Sequence, residues 1–294
     1  MKLRIDPEQF RYVPGEEGAY AKLPTKINPI YEGKKEYRNL LEDYMDEIKE
    51  LQRKMYAHDR YSLLLIFQGM DAAGKDGAIR HVMSGINPAG VQVFSFKKPT
   101  SKELDHDWMW RTTRCLPERG RIGIFNRSYY EEVLVVKVHP KILTDYQRIP
   151  AENRQDIDRV FEERYQDIVN FEDFLYRNGT RVVKFFLNLS YDEQRDRLID
   201  RIDRPEKNWK MSLGDVEERG HWKDYQEAWE ELLEKTSSER APWYAIPADD
   251  KKNARLIISQ IVLNTLNGLD MAYPTVTDEF KAELQEAKDQ LLKD

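Results

Sequence analysis

A short apolar run that leads straight into a glycine-rich loop limits the fold of this chain more than any other feature. Residues 61–69 read YSLLLIFQG, and a continuous apolar run of this length predicts a parallel strand buried on both faces. Gly69, Gly74 and Lys75 then complete the pattern G-x-x-x-x-G-K, and a helical stretch follows. Strand, loop and helix in this order form a phosphate-binding cradle of main-chain N–H groups and one lysine. An ordinary glycine turn is the alternative interpretation.

Strands and helices alternate along the rest of the chain. Apolar runs at 91–96, 121–125, 182–189 and 243–246 predict four more strands. Helical stretches are predicted at 75–85, 101–116, 151–178, 191–204 and 250–267. The alternation predicts a three-layer α/β fold with a parallel sheet between helices. The polar segment 203–239 interrupts it, and we expect this segment to form a helical lid over the strand ends.

The remaining segments are expected to flank this core within one structural domain. Residues 1–60 contain a proline-rich arm and, from about 33 to 58, an amphipathic helix packed on the core. Residues 61–272 form the phosphate-loop domain with its lid. Residues 273–294 carry Phe280, Leu284 and Leu291 at helical spacing, which predicts a final packing helix.

Composition excludes several other classes of protein. The 294 residues include 53 acidic and 47 basic ones, for a net charge of −6, which argues against a nucleic-acid partner. No apolar run approaches the roughly 20 residues that span a bilayer, so no membrane association is expected. The single cysteine, Cys115, and a start without an apolar leader favour a reducing cytoplasm.

Two carboxylates stand where a phosphate loop normally has none. Asp76 replaces the serine or threonine that usually follows the lysine, and Asp71 lies inside the loop. Phosphates repel a carboxylate unless a divalent cation lies between them, so Asp71 is predicted to bind Mg²⁺, with Mn²⁺ as the alternative. An Asx turn that caps the loop is the other interpretation of Asp71.

The run 121–132 is predicted to deliver further polar groups to the same edge of the sheet. Asn126 and Arg127 end this strand, where ligands bind in open α/β sheets. Asn126 can offer an amide oxygen to a metal or nucleotide, and Arg127 can stabilise developing negative charge. Glu131 or Glu132 could supply the charge that Asn126 lacks, unless both lie on a solvated helix face.

A set of cations is predicted to extend this phosphate site. Any one of them is more easily explained as a surface charge, but several at one edge of an acidic protein would form a positive channel suited to a long polyanion. The predicted phosphate-binding residues are the loop residues Gly69, Ala72, Ala73, Gly74, Lys75, Asp76 and Gly77, together with Lys97, Lys98, Arg111, Arg114, Arg204, Lys207 and Lys210. Arg197 and Arg201 precede Arg204 at helical spacing.

Four separated segments resemble the polyphosphate kinase 2 family. They read GMDAAGKDG, SFKKPTSKELDHDWMWR, FNRSYYEEVLVVKVH and APWYAIPADDKKNAR, and the likeness runs in order from about residue 35 to 270. The resemblance implies a P-loop kinase fold with a helical lid. It also implies Mg²⁺-dependent transfer between inorganic polyphosphate and nucleoside phosphates, and a homo-oligomer, a dimer or tetramer.

The resemblance also implies roles for particular residues. Asp71 and Lys75 match the loop aspartate and lysine of the family, and Arg127 matches the arginine after the second motif, so these three are the predicted catalytic residues. Many members have aspartate where this chain has Asn126. Asn126 with Glu131 resembles the class III subgroup, which accepts AMP and ADP. The second metal ligand stays open between Asn126 and Glu131, and guanine nucleotides stay open beside adenine nucleotides.

Two other functional interpretations compete with a polyphosphate:nucleotide phosphotransferase. One is an ATP-dependent nucleotide kinase with a thymidylate-kinase-like core, and Asp71 and Asp76 argue against it. The other is a nucleotide-binding switch. The clustered cations of the lid argue against a switch, because switches close with loops that respond to one γ-phosphate.

Overall fold

The computed structural model describes residues 6–293 and contains one parallel sheet of five strands. The strands are β1 (Ser62–Gln68), β2 (Val91–Ser95), β3 (Ile122–Asn126), β4 (Thr180–Asn188) and β5 (Trp243–Pro247). Their order is β2-β3-β1-β4-β5, and every neighbouring pair is parallel. All five predicted strands are therefore confirmed, and so is the α/β class.

Twelve α-helices connect and cover the strands in the described part of the chain. They are α1 (Lys34–His58), α2 (Lys75–Val82), α3 (Ser101–Leu104), α4 (Trp110–Thr113), α5 (Val135–Val138), α6 (Lys141–Asp145), α7 (Ile157–Arg177), α8 (Tyr191–Asp203), α9 (Leu213–Arg219), α10 (Trp222–Thr236), α11 (Lys251–Asn267) and α12 (Asp278–Leu291). Short 3₁₀ helices include Tyr129–Val133 and Pro205–Lys210. No described helix is long and apolar enough to cross a membrane.

The strand order places the ligand edge at the carboxyl end of β1. The chain leaves β1 toward β3 and β2 on one side, and it later returns to β4 and β5 on the other. A crevice opens where the order reverses, and ligands of open α/β sheets bind there. The phosphate loop follows β1 directly, so it lies at this crevice.

Both faces of the sheet are covered, which explains the uninterrupted apolar run of β1. Leu63 and Leu65 belong to the core beneath α1, α2 and α11, whereas Leu64 and Ile66 belong to the core beneath α7 and α10. Alternate residues of a strand point to opposite faces, so both sets must be apolar. The sheet is the middle layer of three.

A buried ion pair, which the sequence did not reveal, lies in the core beneath α7 and α10. Lys184, in the middle of β4, has no exposed surface, and its Nζ lies 2.5 Å from Oε2 of Glu172 on α7. Nζ also donates to the Tyr130 hydroxyl and to the Thr236 carbonyl. Both Tyr129 and Tyr130 donate their hydroxyls to Glu172 Oε1 at 2.8 Å. The pair therefore anchors the turn that follows Arg127.

The N-terminal arm protects the edge of the sheet. Its first five residues lie outside the described residues. Phe10 and Tyr12 are buried, and the Tyr12 N–H donates to the Trp243 carbonyl at 2.8 Å, with an antiparallel bridge from Arg11 to Tyr244. An edge strand with open hydrogen-bonding groups invites pairing with other chains, and the arm blocks part of it.

Half of the segment predicted as a lid belongs to the core. Helix α10 buries Trp229, Leu232 and Leu233 against the sheet, at spacing that the high charge of the segment obscured. The part before α10 is different, since Trp209 is 78% exposed and Leu213 is exposed as well. We therefore restrict the lid prediction to residues up to 221.

Two helical predictions need correction. The stretch 101–116 forms two single turns, α3 and α4, and a capping box between Thr100 and Glu103 begins the first. The C-terminal helix α12 is present, but its predicted packing is wrong for the described residues because all of 278–291 is exposed. Its helical spacing therefore did not indicate burial within this chain.

Removal of one member of the buried ion pair should be far more damaging than removal of both. Glu172→Ala leaves the Lys184 ammonium buried without its carboxylate, and we expect a loss of about 3–5 kcal/mol in the free energy of unfolding. Chemical denaturation measures it. The double variant Lys184→Met/Glu172→Leu should lose less, and a double variant as unstable as Glu172→Ala would contradict the ion-pair account.

Candidate active site

The phosphate loop adopts a backbone that only its glycines allow at two points. Gly69 has φ of +150°, and a Cβ there would lie 2.9 Å from the Leu187 carbonyl oxygen of the neighbouring strand. Gly74 has φ of +102° and precedes the first residue of α2. The loop can therefore curl against β4 and present the N-terminal N–H groups of α2 to an anion.

Lys75 lies under the loop with its ammonium directed to main-chain oxygens. Nζ donates to the Gly69 carbonyl at 2.6 Å and to the Met70 carbonyl at 3.2 Å. Burial is the main cause of the lowered pKa of Lys75, which falls to about 8, and the positive charge of Arg127 is the second cause. A bound phosphate would favour the charged form, so Lys75 is poised to gain an anionic partner.

Arg197 holds the loop in place and does not act as a free cation. Its Nη1 donates to the carbonyls of Ala72 and Ala73 at 3.1 and 3.0 Å, and its Nη2 donates to the carbonyls of Ala248 and Asp249. The side chain is buried. It therefore connects the phosphate loop to the segment that follows β5.

Arg127 lies between two acidic residues. It has φ of +62°, and its Nη2 donates to Asp71 Oδ1 at 2.7 Å. Its Nη1 is 3.7 Å from Glu131 Oε2, and Glu131 is the main cause of the raised pKa of Arg127. Gln68 Nε2 donates to Glu131 Oε1 at 3.0 Å. The three predicted catalytic residues Asp71, Lys75 and Arg127 thus meet at one place.

Asn126 and Asp76 contact each other across the cleft floor. Asn126 Nδ2 donates to Asp76 Oδ1 at 2.6 Å and lies 3.4 Å from Ser95 Oγ. Both contacts use the amide nitrogen, so Oδ1 is the atom of Asn126 suited to a metal. Asp76 occupies the place where other phosphate loops have a hydroxyl, and here it orients Asn126.

The acidic residues of the site fit a divalent cation that is completed by substrate. Among the described residues no group of three His, Cys, Asp or Glu side chains could hold an ion alone. Burial raises the pKa of Asp215, and the negative charge of Asp71 raises this pKa further, so these two carboxylates repel each other in the cleft. Mg²⁺ typically binds one or two carboxylates together with phosphate oxygens and water, and this donor set suits that mode.

Asp71, Lys75, Asn126 and Arg127 line a cleft of about 640 Å³. Nine of the lining residues are basic and four are acidic, although the chain as a whole carries a net charge of −6. The cleft is therefore a local region of positive potential. The basic residues are Lys75, Lys97, Lys98, Arg127, Arg197, Arg201, Lys207, Lys210 and Lys251.

The structure brings most of the predicted site residues together, but not all. The lining includes Asp71, Ala72, Ala73, Gly74, Asp76, Gly77, Lys97, Lys98, Asn126, Lys207 and Lys210. Gly69 supports the loop from behind. Glu131 contacts Arg127 and Gln68 and does not line the cleft, so its position does not support the predicted role as a metal ligand.

Three predicted phosphate-binding arginines lie elsewhere. Arg111 is buried, with Nη1 donating to the Lys97 carbonyl at 2.6 Å. Arg114 stacks on Trp110 at 4.4 Å, and Arg204 pairs with Glu206 at the surface. None of these three guanidinium groups lines the cleft, because each is held by another partner: the Lys97 carbonyl, the Trp110 ring or Glu206.

Sequence reasoning missed several residues that line the cleft, among them Lys251, Asp215 and Trp209. Lys251 begins α11 directly after β5, and a search for charges at every strand end would have found it. Asp215 on α9 pairs with Arg201 at 3.1 Å, and Trp209 lies at the exposed rim. No sequence signal distinguishes those two from other polar and aromatic residues of the predicted lid.

The lowered pKa of Lys75 predicts a specific pH dependence of phosphate binding. Above pH 8 the free protein loses this charge, so binding of an anion must take up a proton, and the Kd for tripolyphosphate should rise about tenfold per pH unit. Calorimetry from pH 7 to 9.5 measures this. Lys75→Arg stays charged and controls for titration of the ligand. Parallel curves for the two proteins would contradict the assignment.

Comparisons with known proteins agree with this geometry. The family model described as Polyphosphate kinase 2 matches residues 31–274. An ADP-polyphosphate phosphotransferase of Rhodopseudomonas palustris is 56% identical over 99% of this chain and 100% of its own length. An AMP/ADP-polyphosphate phosphotransferase of Meiothermus ruber is 46% identical over 77% of this chain and 80% of its own.

A solved structure extends the likeness to the fold. The crystal structure of polyphosphate kinase 2 from Arthrobacter aurescens superposes with a TM-score of 0.85 at 38% identity, covering 97% of this chain and 99% of that one. The family match spans the phosphate loop, the second polar strand end and the cationic cleft. The chain belongs to the polyphosphate kinase 2 family.

Proposed function

We propose that this protein transfers phosphoryl groups reversibly between inorganic polyphosphate and AMP or ADP, by direct in-line displacement. Membership of the family makes it a polyphosphate-dependent phosphotransferase. The observation that carries the proposal is the cleft in which eight basic residues, besides Arg197 that holds the loop, converge in an acidic protein. A single nucleotide needs fewer cations, whereas a polyphosphate chain carries about one negative charge per phosphate along its whole length.

The arrangement of the cations supports an extended anion. Lys75 and Arg127 lie at the phosphate loop, and Lys207 and Lys210 lie on the 3₁₀ helix after α8. Lys97 and Lys98 line the cleft from the end of β2. Successive phosphates of one chain can therefore be neutralised from different elements of the fold, and this is why affinity should grow with chain length.

The chemical step needs positioning and neutralisation of charge, and no covalent intermediate. The loop N–H groups and Lys75 hold the phosphate chain, while Arg127, fixed by Asp71, faces the charge that develops on the transferred group. A terminal phosphate of AMP or ADP is largely ionised at neutral pH, since its second pKa is about 6, so no general base is required.

Phosphotransferases of this family use a divalent cation. We propose that it is Mg²⁺ and that Asp71 and Asn126 hold it with substrate oxygens, with Mn²⁺ as a substitute. Bound there, the cation would supply positive charge that offsets the repulsion between the Asp71 carboxylate and the phosphates. Asp71 would then exchange part of its contact with Arg127 for the metal.

The choice of acceptor follows from Asn126 and Glu131. We propose that both AMP and ADP are accepted, as the name of the Meiothermus ruber relative states for that protein, whereas the Rhodopseudomonas palustris relative is named for ADP. An amide at position 126 makes the site less negative than a carboxylate would.

We also propose a homo-oligomer, because the chain resembles this family, and a cytoplasmic location, because Cys115 is its single cysteine.

An assay without ATP tests the proposed function. With long-chain polyphosphate, Mg²⁺ and ADP, the protein should form ATP, and with AMP it should form ADP. Lys75→Ala should lower kcat by about a hundredfold or more because one charged phosphate contact is lost. Lys49→Ala on the exposed face of α1 is the matched control. Transfer that requires ATP as donor would favour the nucleotide-kinase alternative, and nucleotide binding without any turnover would favour the switch.

The role of Asp71 can be separated from its contact with Arg127 by varying the metal. If Asp71 holds the cation, Asp71→Asn should raise the Mg²⁺ concentration for half-maximal activity by about tenfold or more. Asp46→Asn on α1 is the matched control. A loss of activity that is the same at every Mg²⁺ concentration would show that Asp71 acts only by orienting Arg127.

A further inference from the structure

Helix α9 borders the phosphate cleft without burying any of its own side chains. Leu213 is 81% exposed and Val216 is 51% exposed, so apolar packing does not hold the helix in place. Its position is set by hydrogen bonds and ion pairs. The same helix carries Asp215, which lines the cleft. The polar contacts of α9 therefore decide where this carboxylate lies.

One set of contacts joins α9 to α8. Asp215 Oδ2 lies 3.1 Å from Arg201 Nη1. Arg219 Nη1 donates to the Tyr191 carbonyl at 2.7 Å and to Gln194 Oε1 at 2.9 Å, and the Arg219 guanidinium lies 3.3 Å from the centre of the Tyr191 ring. Contacts along one side leave a short helix free to pivot. The orientation of α9 therefore depends on what holds its other side.

Glu218 supplies the attachment on that other side. Its Oε2 accepts a hydrogen bond from the Tyr225 hydroxyl on α10 at 2.7 Å and another from His139 Nε2 at 3.0 Å. An ionised carboxylate can only accept, so Nε2 of His139 carries the proton in this contact. Tyr225 is buried in the core beneath α7 and α10, and His139 directly follows α5. One carboxylate oxygen thus joins α9 to two elements of the core.

His139 is itself held in place. Its N–H donates to the Val135 carbonyl at 2.9 Å, and Pro140 follows it and restricts its backbone. The ring of His221 packs edge-on against the His139 ring, with 4.9 Å between their centres, and Asp224 holds His221 at 3.1 Å. The acceptor on α9 must therefore come to this imidazole, and not the reverse.

The attachment of Glu218 bears directly on the catalytic residues. Asp215 precedes Glu218 by three residues, so the two side chains are neighbours on one face of the helix. Burial and the charge of Asp71 raise the pKa of Asp215, and the positive charges of Arg127 and Lys75 act against this rise. Asp215 is thus within electrostatic reach of all three residues. A rotation of α9 would change the charge that they experience.

The attachment also limits where two cations of the cleft can lie. Lys207 and Lys210 belong to the 3₁₀ helix that precedes α9, and only Met211 and Ser212 separate the two elements. A linker of two residues allows little independent movement. When α9 is docked, the whole lid segment, residues 203–221, is therefore held beside the cleft.

We propose that Glu218 is a positioning residue for phosphoryl transfer, which docks α9 on His139 and Tyr225 and so keeps Asp215 and the lysines of the lid segment at the cleft. The proposal rests on the proposed function, because it takes polyphosphate to be the anion that these lysines bind. Glu218 itself does not line the cleft, so it acts through the lid segment and touches no reacting atom. The phosphate loop keeps its own contacts when α9 undocks.

Steady-state kinetics with ADP, Mg²⁺ and polyphosphate test this role. Glu218→Ala should lower the docked fraction of the protein and raise the KM for polyphosphate about tenfold. Because bound polyphosphate favours the docked form, kcat at saturating polyphosphate should fall less than about threefold. Glu218→Gln keeps an oxygen that can accept from Tyr225 or His139, so it should restore most of the affinity. Glu217→Ala removes the same charge from the exposed face of α9 and is the matched control.

Limited proteolysis measures docking without any turnover. Trypsin cleaves after lysine and arginine, and the lid segment offers Lys207, Lys210 and Arg219. Cleavage of a folded protein follows the population of the locally opened form, so Glu218→Ala should be cut at these three sites about tenfold faster than the wild type. Glu217→Ala should be cut at the wild-type rate. Mass spectrometry identifies the sites.

Other outcomes overturn the proposal. An unchanged KM for polyphosphate in Glu218→Ala does so, and so does a rise that Glu217→Ala shares. A lower urea midpoint of global unfolding, with unchanged cleavage at the three sites, would make Glu218 a residue of general stability. A fall in kcat as large as the fall in kcat/KM would place Glu218 in the chemical step. A wild type that forms no ATP from ADP overturns the proposed function, whereas the cleavage rates still decide whether Glu218 docks α9.

Discussion

The buried ion pair between Lys184 and Glu172 is the interaction on which the ligand edge depends. It joins the interior strand β4 to helix α7, and through the hydroxyls of Tyr129 and Tyr130 it holds the turn after β3. Burial lowers the pKa of Lys184, so only close partners keep this ammonium charged. Such a pair contributes little net stability, but it defines one position for the turn. Arg127 precedes that turn and Glu132 lies within it.

Charge is distributed in two ways at this edge. In the cleft, cations outnumber carboxylates, and this imbalance favours an anion. In the turn after β3, the buried Glu132 carboxylate is paired with Arg164 and lies 3.9 Å from Arg111. This edge therefore has an excess of positive charge in the open cleft and paired charges in the core beside it.

Much of this fold could be predicted from the sequence because its strands are apolar runs with clear ends. The phosphate loop was recognisable because Gly69 and Gly74 are required by backbone geometry and Lys75 by charge. Lys184 was not recognisable as a structural charge, because its partner on α7 is brought near only by tertiary packing. For the same reason the sequence predicts α10 to be part of the lid, although its buried residues Trp229, Leu232 and Leu233 lie on one regular apolar face.

The arginines show where side-chain direction could not be predicted. Arg111 lies in the single turn α4 and Arg114 caps it, yet Arg111 is buried whereas Arg114 stacks on Trp110. A single turn has too few residues for periodicity to define which side chains are buried. Lys97 and Lys98 were placed correctly because a strand end has a known position in a parallel sheet. Position was more predictable than orientation.

Arg127 and Ala72 at the ligand edge have a left-handed backbone, a conformation that glycine adopts more easily than any other residue. A residue with a Cβ in this conformation is disfavoured by roughly 1–2 kcal/mol relative to its preferred region. Glycine would relax the chain at position 127 but would remove the guanidinium. The strained backbone therefore lowers the free energy of unfolding at the edge where the substrate binds. Variants of greater thermal stability would be expected to carry their stabilising substitutions elsewhere in the fold.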